Sequence, residues 1–246
     1  MSDISLLANE VDLSFPRHRV GLGSIFRWVK RRMGYNARIP PFDALKKINI
    51  SISKGEVIGI IGRNGSGKST LLRVMSGIYQ PDKGVAMSSA PVNLLSNVKV
   101  GFNGNLSGRE NVYLYGSILG HPREQMMAMM ESIVSFAELE EFIDQPLRTY
   151  SSGMQARLGL SVASAVKPEI LLIDEVLAVG DAAFKERSRT RIKEMVENAS
   201  TVVIVSHNLN FLKKTCHKII LMDKGQIIHI GEPESAIKEY NDLISG

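Results

Sequence analysis

A glycine-rich segment carries the pattern in this sequence that is most capable of chemistry. The segment reads Gly62-Arg63-Asn64-Gly65-Ser66-Gly67-Lys68-Ser69-Thr70. It follows the apolar run Val57–Ile61, which predicts a buried strand, and it leads into helical spacing over Ser69–Met75. Its glycines let successive backbone N–H groups turn toward phosphate oxygens at the positive end of that helix. We therefore expect a phosphate-binding P-loop, in which Lys68 reaches the β- and γ-phosphates of a nucleotide and Ser69 binds Mg²⁺.

Two adjacent carboxylates end a second apolar run. Ile170–Ile173 reads as a buried strand, and Asp174 and Glu175 follow it directly. Taken alone, the two acids could be solvated charges at a strand end. The P-loop favours another interpretation, in which Asp174 holds the Mg²⁺ and Glu175 is the base that polarises the attacking water.

Two further patterns are ambiguous by themselves. Tyr150–Met154 reads Tyr-Ser-Ser-Gly-Met and precedes helical spacing over Gln155–Ala165, so its serines are either an anion site or an ordinary helix N-cap. The run Thr201–Val205 continues into a serine and then His207, and such a histidine is more often a surface residue than a catalytic one. The order and spacing of all four patterns favour the functional interpretation.

With these four patterns in place, the sequence resembles the ATP-binding cassette (ABC) family over essentially its whole length. The resemblance implies that Gly62–Thr70 is Walker A, that Ile170–Glu175 is Walker B with the catalytic glutamate, and that Val179–Asp181 is the D-loop. It also implies that His207 is the switch histidine and that Tyr150–Met154 is the signature motif. The nucleotide-contacting residues of the signature would be Ser151, Ser152 and Gly153.

The resemblance also implies the fold and the domain organisation. We expect an α/β P-loop NTPase core with a mixed sheet, an N-terminal antiparallel β part and a helical signature subdomain. A single nucleotide-binding domain would span 1–246, with a basic insertion at 17–41, the helical subdomain at about 97–165, and a hairpin and helix at about 219–246. The composition agrees, since 246 residues with 44% hydrophobic residues can bury a core without a disulfide or metal staple.

The variant signature narrows the function. Most relatives carry Leu-Ser-Gly-Gly-Gln there, whereas Tyr150–Met154 resembles the branch that exports capsule, O-antigen and teichoic-acid polysaccharides. The stretch Gly101–Tyr113 is also similar to a Gly-Phe-His-Pro-Glu-Leu-Thr-Gly-Arg-Glu-Asn segment of that branch. These features imply an ATPase that uses ATP and Mg²⁺, forms a head-to-tail homodimer, and powers export of a lipid-linked polysaccharide through an integral-membrane permease.

The sequence also predicts where the protein lies in the cell and which other functions are disfavoured. The N-terminus lacks the pattern of a secretory signal, and the longest strongly apolar runs are far short of the ~18–20 residues that span a bilayer. We expect a peripheral protein at the cytoplasmic face of the cell membrane. An importer ATPase is the nearer rival. A soluble cassette ATPase acting on DNA or ribosomes is disfavoured by the single cassette and the lack of a long heptad insertion, so no nucleic-acid partner is expected.

The sequence leaves two residues of the family pattern open: the aromatic residue that stacks on adenine and the glutamine of the Q-loop. The aromatic residue that stacks on adenine is predicted to be Phe15 or Phe42, and Tyr35 also lies close in sequence. The usual Q-loop glutamine would fall near Val98, where Asn97 is the only nearby amide.

A basic segment interrupts the N-terminal part of the chain. Between Asp12 and Asp43 there is no acidic residue, and apolar residues at helical spacing over 22–33 predict an amphipathic helix. The exporter branch similarly inserts a helix here, next to the membrane subunit. The charge pattern by itself also fits membrane headgroups, nucleic acid or a solvated loop, and the helix could instead pack on its own domain. The basic residues are Arg17, Arg19, Arg27, Lys30, Arg31, Arg32 and Arg38.

Overall fold

The structure, a computed structural model, describes residues 3–16, 40–96, 101–174 and 181–245. Its strands are β1 (Ile4–Phe15), β2 (Phe42–Ser53), β3 (Val57–Gly62), β4 (Lys83–Ser88), β5 (Val92–Leu95), β6 (Ile170–Asp174), β7 (Thr201–Val205), β8 (Lys218–Asp223) and β9 (Gln226–Gly231). Its helices are α1 (Lys68–Met75), α2 (Gly108–Ile118), α3 (Arg123–Ala137), α4 (Ser152–Ala163), α5 (Ala182–Asn198), α6 (Leu209–Thr215) and α7 (Pro233–Ser245). A short 3₁₀ turn, Leu147–Thr149, precedes α4.

A mixed six-stranded sheet positions the predicted motifs. Its strand order is β5-β6-β7-β3-β8-β9, in which neighbours run parallel except that β9 returns antiparallel to β8 as a hairpin. Val205 of β7 lies opposite both Ile60 of β3 and Asp174 of β6. The carboxyl ends of β3, β6 and β7 therefore meet at one edge of the sheet.

An antiparallel sheet of order β2-β1-β4 packs on one face of the mixed sheet and shares a hydrophobic core with it. Its register shifts between Ala8 and Val11, where Glu10 has a positive φ of 51°. The Glu10 N–H donates to Asn49 Oδ1 at 2.9 Å, which supplies a partner where the strand ladder is interrupted. Such bulges bend a sheet and increase its twist.

The central strands are buried on both faces. Along β3, Ile58 and Ile60 face a core shared with α1 and the antiparallel sheet, whereas Ile61 faces a second core shared with α3, α4 and α5. This two-sided burial explains why β3, β6 and β7 read as continuous apolar runs. The predicted α/β fold with an antiparallel N-terminal part is confirmed.

The predicted helices are present, but α1 begins one residue earlier than its spacing indicated, at Lys68, and two others begin earlier by more. Helix α4 begins at Ser152 rather than Gln155, because Ser151 is its N-cap. Helical spacing in the sequence predicts a second helix over Phe184–Glu197. The corresponding helix α5 begins two residues earlier, at Ala182, because Asp181 accepts a hydrogen bond from the Phe184 N–H at 2.9 Å. In both cases a capping side chain extends the helix beyond the apolar periodicity.

Helices α2, α3 and α4 fill most of the 97–165 stretch and pack on one another. The assignment of this stretch as a separate subdomain stays a prediction. Asn111 is fully buried in α2, and its Nδ2 donates to the carbonyls of Asn103, Leu106 and Ser107 at 2.8–3.2 Å. Its Oδ1 accepts from the Asn103 N–H at 2.8 Å. One side chain thus satisfies the backbone of the loop that leads into α2.

None of the helices in the described ranges is both long and apolar enough to cross a membrane. The predicted basic insertion falls almost entirely on residues 17–39, outside the described residues.

Replacing Asn111 with alanine should destabilise the protein by about 1–3 kcal/mol. The partly buried carbonyls of Asn103, Leu106 and Ser107 would each lose one of two donors, and the Asn103 N–H would lose its acceptor. Asn241→Ala, at an exposed position of α7, is the matched control and should change stability by less than about 0.5 kcal/mol. Denaturant unfolding of both variants measures the difference. Equal unfolding free energies would show that the Asn111 contacts contribute nothing net.

Candidate functional site

The glycine-rich loop leaves β3 packed directly against the backbone of neighbouring strands. Gly62 has a φ of 150°, and a Cβ at this position would collide with the backbone oxygen of Met222 in β8. Gly67 has a φ of 105°, and a Cβ there would lie 2.7 Å from the Ala44 backbone oxygen. Only glycine fits these two positions, because the φ values and the close approaches both exclude a side chain.

The loop presents its backbone donors at the start of α1. Gly67 is the N-cap of α1 and provides no side-chain cap, so the first N–H groups of the helix are not taken up by a capping group. Ser66 is buried, and its Oγ has no hydrogen-bond partner among the described residues. Uncapped helix N–H groups next to a buried hydroxyl fit the binding of a phosphate group. Arg63, Asn64 and Gly65 form the exposed outer part of the loop.

Lys68 folds back over the loop. Its side-chain Nζ donates to the Gly62 carbonyl at 2.8 Å and to the Arg63 carbonyl at 3.0 Å. The residue is only 8% exposed, and burying an ammonium group is costly unless hydrogen bonds compensate. These contacts hold the positive charge at the mouth of the loop.

Ser69 and Asp174 meet across the edge of the sheet. The Ser69 Oγ donates to Asp174 Oδ1 at 3.0 Å, although the two residues are 105 positions apart. Thr70 follows in the first turn of α1. A hydroxyl and a carboxylate are oxygen ligands of the kind that Mg²⁺ prefers, and Mg²⁺ commonly takes only one or two carboxylates and completes its shell with phosphates and water. Within the described ranges no cluster of three His, Cys, Asp or Glu residues could hold a metal by itself.

His207 lies at the same edge. It is exposed and lines a small cleft beside the loop. The Ser206 Oγ accepts from the Asn208 N–H at 3.1 Å, and Asn208 Oδ1 caps α6 by accepting from the Phe211 N–H at 3.0 Å, so the turn that carries His207 is held on both sides. The residues that line the cleft are Ile61, Gly62, Lys68, Ser206, His207, Leu209 and Tyr240.

Leu209 and Tyr240 are site residues that the sequence did not indicate. Tyr240 belongs to α7, far along the chain from the other lining residues, and it reaches the cleft because α7 packs against β8, β9 and α6. No motif or spacing in the sequence marks this long-range approach.

The signature segment lies apart from this cleft. Ser151 caps α4, its Oγ accepting from the Met154 N–H at 3.1 Å, which is the ordinary N-cap that the sequence left open. Ser151 and Ser152 are exposed, and neither they nor Gly153 line the cleft beside Lys68 in the described structure. A nucleotide-binding role for these three residues stays a prediction.

Tyr150 anchors the signature segment. It is buried, and its hydroxyl donates to the Phe142 carbonyl at 2.6 Å. Burial and, to a smaller extent, the charge of Asp144 raise the pKa of Tyr150 to about 12, so the hydroxyl remains a donor at neutral pH.

The two candidate adenine-stacking aromatics are neighbours. Phe15 of β1 lies opposite Phe42 of β2. The ring of Phe15 meets Tyr79 edge to face, with centroids 5.6 Å apart, whereas Phe42 is 44% exposed. Their role toward adenine stays a prediction.

Several predicted site residues lie outside the described residues. They are Glu175, the first two D-loop residues Val179 and Gly180, and the Q-loop positions Asn97 and Val98. The third D-loop residue, Asp181, is described. Its carboxylate accepts a hydrogen bond from the Phe184 N–H, and this bond is the main reason that the pKa of Asp181 is lowered.

Comparison with known protein families identifies this arrangement. The model of the ABC transporter family matches residues 45–178, which include the glycine-rich loop, the signature segment and Asp174. The chain belongs to the ABC transporter family.

Named relatives within the ABC transporter family are similar over most of this chain. It is 42% identical over 222 residues to the O-antigen export system ATP-binding protein RfbB of Myxococcus xanthus, covering 90% of this chain and 50% of the relative. It is 41% identical over 202 residues to an RfbB protein of Klebsiella pneumoniae, covering 82% of each chain. It is also 39% identical over 210 residues to the teichoic acids export ATP-binding protein TagH of Enterococcus faecalis, covering 85% of this chain and 47% of the relative. The chain thus spans about half the length of the Myxococcus and Enterococcus relatives.

Solved structures of ABC proteins share the fold. An ATP-binding subunit of an ABC transporter superposes with a TM-score of 0.69 at 17% identity, covering 96% of this chain and 93% of that one. A dimeric ATP-binding cassette in a post-hydrolysis state, bound to ADP and Pi, superposes with a TM-score of 0.66 at 21% identity, covering 93% and 98%. At these identities the likeness concerns the fold.

Gly67→Ala should destabilise this ABC protein by at least about 2 kcal/mol, because it adds a Cβ both to a left-handed residue and to a site 2.7 Å from a carbonyl oxygen. Gly55→Ala is the matched control, since Gly55 has a φ of 87° but nothing within 4 Å of the added Cβ. The control should lose only about 1 kcal/mol. Denaturant unfolding compares the two, and an equal loss would mean that crowding at Gly67 does not matter.

Proposed function

We propose that this chain is the ATP-hydrolysing subunit of an ABC transporter that exports a lipid-linked cell-surface polysaccharide across the cytoplasmic membrane. The observation that carries the proposal is the convergence of Lys68, the Ser69–Asp174 pair and His207 at the carboxyl ends of β3, β6 and β7. The 42% and 39% identity to O-antigen and teichoic acid export ATP-binding proteins supports the transported class.

The glycine-rich loop binds the phosphates of ATP. The backbone N–H groups of Gly62–Thr70 and the Lys68 ammonium surround the β- and γ-phosphates, with Lys68 exchanging its two loop carbonyls for phosphate oxygens. Ser69 and Asp174 hold Mg²⁺, which when bound neutralises charge on the phosphates. Phe15 or Phe42 stacks on the adenine ring.

We assign hydrolysis to Glu175 and His207. Glu175, the residue after Asp174, accepts a proton from the water whose oxygen attacks the γ-phosphorus, and the bond to the β–γ bridging oxygen breaks. His207 contacts the γ-phosphate and orients the attacking water. The turn fixed by Ser206 and Asn208 holds the histidine in place.

The active unit is a head-to-tail homodimer. Ser151, Ser152 and Gly153 do not line the cleft of their own chain, so we place them against the γ-phosphate bound by the loop of a second copy. Ser151 caps α4 and Ser152 is exposed at its first turn, and together they present the positive end of a helix to that phosphate.

The dimer works on a membrane partner. We infer a separate integral-membrane permease that carries the lipid-linked polysaccharide, with this chain bound peripherally at the cytoplasmic face. The basic segment at 17–41 contacts the permease or the anionic headgroups. Co-purification from membranes tests this assignment. Recovery of a permease with a lipid-linked glycan supports export, whereas recovery of an importer permease with a soluble substrate would contradict it.

The catalytic roles lead to three variants with different outcomes. Glu175→Gln should keep ATP binding, abolish turnover and accumulate an ATP-dependent dimer, because the phosphate clamp forms and cannot be broken. Lys68→Ala should weaken ATP binding, and His207→Ala should lower hydrolysis with a smaller effect on binding. Equilibrium ATP binding, steady-state hydrolysis and dimer mass measure the three effects. Near-normal steady-state hydrolysis by Glu175→Gln would refute its assignment as the base.

Reversing charge in the basic segment should impair export and leave ATP chemistry intact. Replacing Arg27, Lys30, Arg31 and Arg32 with glutamate removes about 1 kcal/mol of attraction per residue from a contact with an anionic surface. The control replaces the three arginines with lysine, which keeps the charge. Surface polysaccharide is measured in cells, and ATP binding is measured on the purified chain. Normal export by the glutamate variant would show that the segment is only a solvated surface.

A further inference from the structure

We propose that residues 101–111, which comprise the loop before α2 and the first turn of α2 and are here called the docking loop, position the signature segment for the second copy's nucleotide. Gly108 and Tyr150 are the positioning residues. This inference rests on the proposed function, because it assumes that Ser151, Ser152 and Gly153 complete a nucleotide site.

Backbone hydrogen bonds attach the docking loop to the segment that leads into the signature. The Leu147 N–H donates to the Leu106 carbonyl at 2.8 Å, and the Arg148 N–H donates to the Gly104 carbonyl at 2.9 Å. In the opposite direction the Arg109 N–H donates to the Ile143 carbonyl at 2.8 Å. The two segments are thus held along residues 104–109 and 143–148, up to two residues before Tyr150.

Hydrogen bonds within the docking loop itself hold its backbone in place. Asn111 binds three of its carbonyls and one of its N–H groups, as described above. Ser107 and Glu110 form a reciprocal capping box at the start of α2. A loop whose backbone is satisfied in this way can transmit its position to the segment docked on it.

Gly108 lies directly against the ring hydroxyl of Tyr150, the first residue of the signature segment. A Cβ on Gly108 would collide with the Tyr150 hydroxyl and lie 2.9 Å from the Ile143 backbone oxygen. The Tyr150 hydroxyl is held at 2.6 Å from the Phe142 carbonyl, and Tyr150 directly precedes Ser151, the N-cap of α4. A displacement of Tyr150 would therefore move the start of α4 and its exposed serines.

The chain connects this docking loop to the sheet that carries the Mg²⁺ ligand. Strand β5 pairs with β6, and Leu95 lies opposite Ile173, one residue before Asp174. Few residues separate Leu95 from the docking loop. One stretch of chain thus joins the sheet edge of one nucleotide site to the signature segment assigned to the other.

The test uses the full purified chain and measures three quantities: ATP affinity of the P-loop, kcat, and ATP-dependent dimer formation. Gly108→Ala should lower kcat about tenfold or more and weaken ATP-dependent dimerisation, since misplacement of a binding group by about 1 Å can cost 10²-fold in rate. Its ATP affinity should stay within about twofold, because no residue of the docking loop lines the cleft beside Lys68. Tyr150→Phe, which keeps the ring and removes only the hydroxyl, should lower kcat by about threefold.

The double variant supplies a diagnostic rescue. Removing the hydroxyl in Gly108→Ala/Tyr150→Phe relieves the main collision, so its kcat should exceed that of Gly108→Ala alone.

Two control variants separate an effect on positioning from an effect on stability. Gly104→Ala lies in the docking loop but makes only an ordinary 3.6 Å contact with Arg148, and it should behave as the wild type. Gly116→Ala crowds Met126 at the other end of α2, so it should lower stability and leave kcat unchanged below the unfolding temperature.

The outcomes are distinguishable. Loss of kcat in Gly108→Ala with unchanged ATP affinity and with rescue by the second change supports the proposal. The proposal is overturned if the kcat of Gly108→Ala is no lower than that of Gly116→Ala. It is also overturned if the kcat of the double variant is no higher than that of Gly108→Ala. In both cases the proposed function stands. If Gly108→Ala does not fold, Tyr150→Phe decides, and a normal kcat in that variant overturns the proposal. Absence of ATP hydrolysis by the wild-type chain would overturn the proposed function and this inference with it.

Discussion

The parallel pairing of β3 with β7, and of β7 with β6, is the constraint on which the candidate site depends. Val205 sits opposite both Ile60 and Asp174, so β6 and β7 end level with one another and β3 ends two residues farther, at Gly62. Their side chains pack into cores on both faces, and each buried valine or isoleucine contributes about 1.5–3 kcal/mol. A slip of one residue would turn every side chain to the opposite face. The apolar residues therefore determine where the polar groups at the strand ends lie.

The glycine-rich loop adds a second constraint at the end of β3. The loop fits between β8 and β2 only with glycine at positions 62 and 67, because carbonyl oxygens of both neighbours approach its Cα atoms. Within that frame Lys68 is buried, and its ammonium donates to carbonyls of its own loop. Phosphate oxygens would be stronger partners for the same charge. The loop is thus ordered before the nucleotide arrives, which reduces the entropy lost on binding.

Ion pairs join three of the helices to one another. Glu138, at the end of α3, forms ion pairs with Arg157 of α4 at 2.9 Å and with Arg187 of α5 at 2.6 Å. These groups are partly exposed, so each pair contributes no more than about 1 kcal/mol to stability. Their value lies in orientation, because one carboxylate joins the helix that begins at the signature segment to the helix that Asp181 caps. The docking loop contacts the segment of residues 143–148, which leads into α4.

The sequence by itself determined the features that depend on local backbone geometry and on burial pattern. The glycine spacing predicted the turn into α1, and the unbroken apolar runs predicted strands covered on both faces; the structure has both. Helix starts were missed by two or three residues at α4 and α5, because a cap is a side-chain hydrogen bond that adds no apolar periodicity.

Only the tertiary structure decided which distant segments meet. The meeting of Ser69 and Asp174 could be anticipated, because both residues were predicted to hold the same Mg²⁺. The approach of Tyr240 to the cleft and of Gly108 to Tyr150 could not be anticipated. Contacts of that kind depend on how helices and loops pack in three dimensions, and a one-dimensional pattern of residue types records the burial of each segment but not the identity of its neighbour.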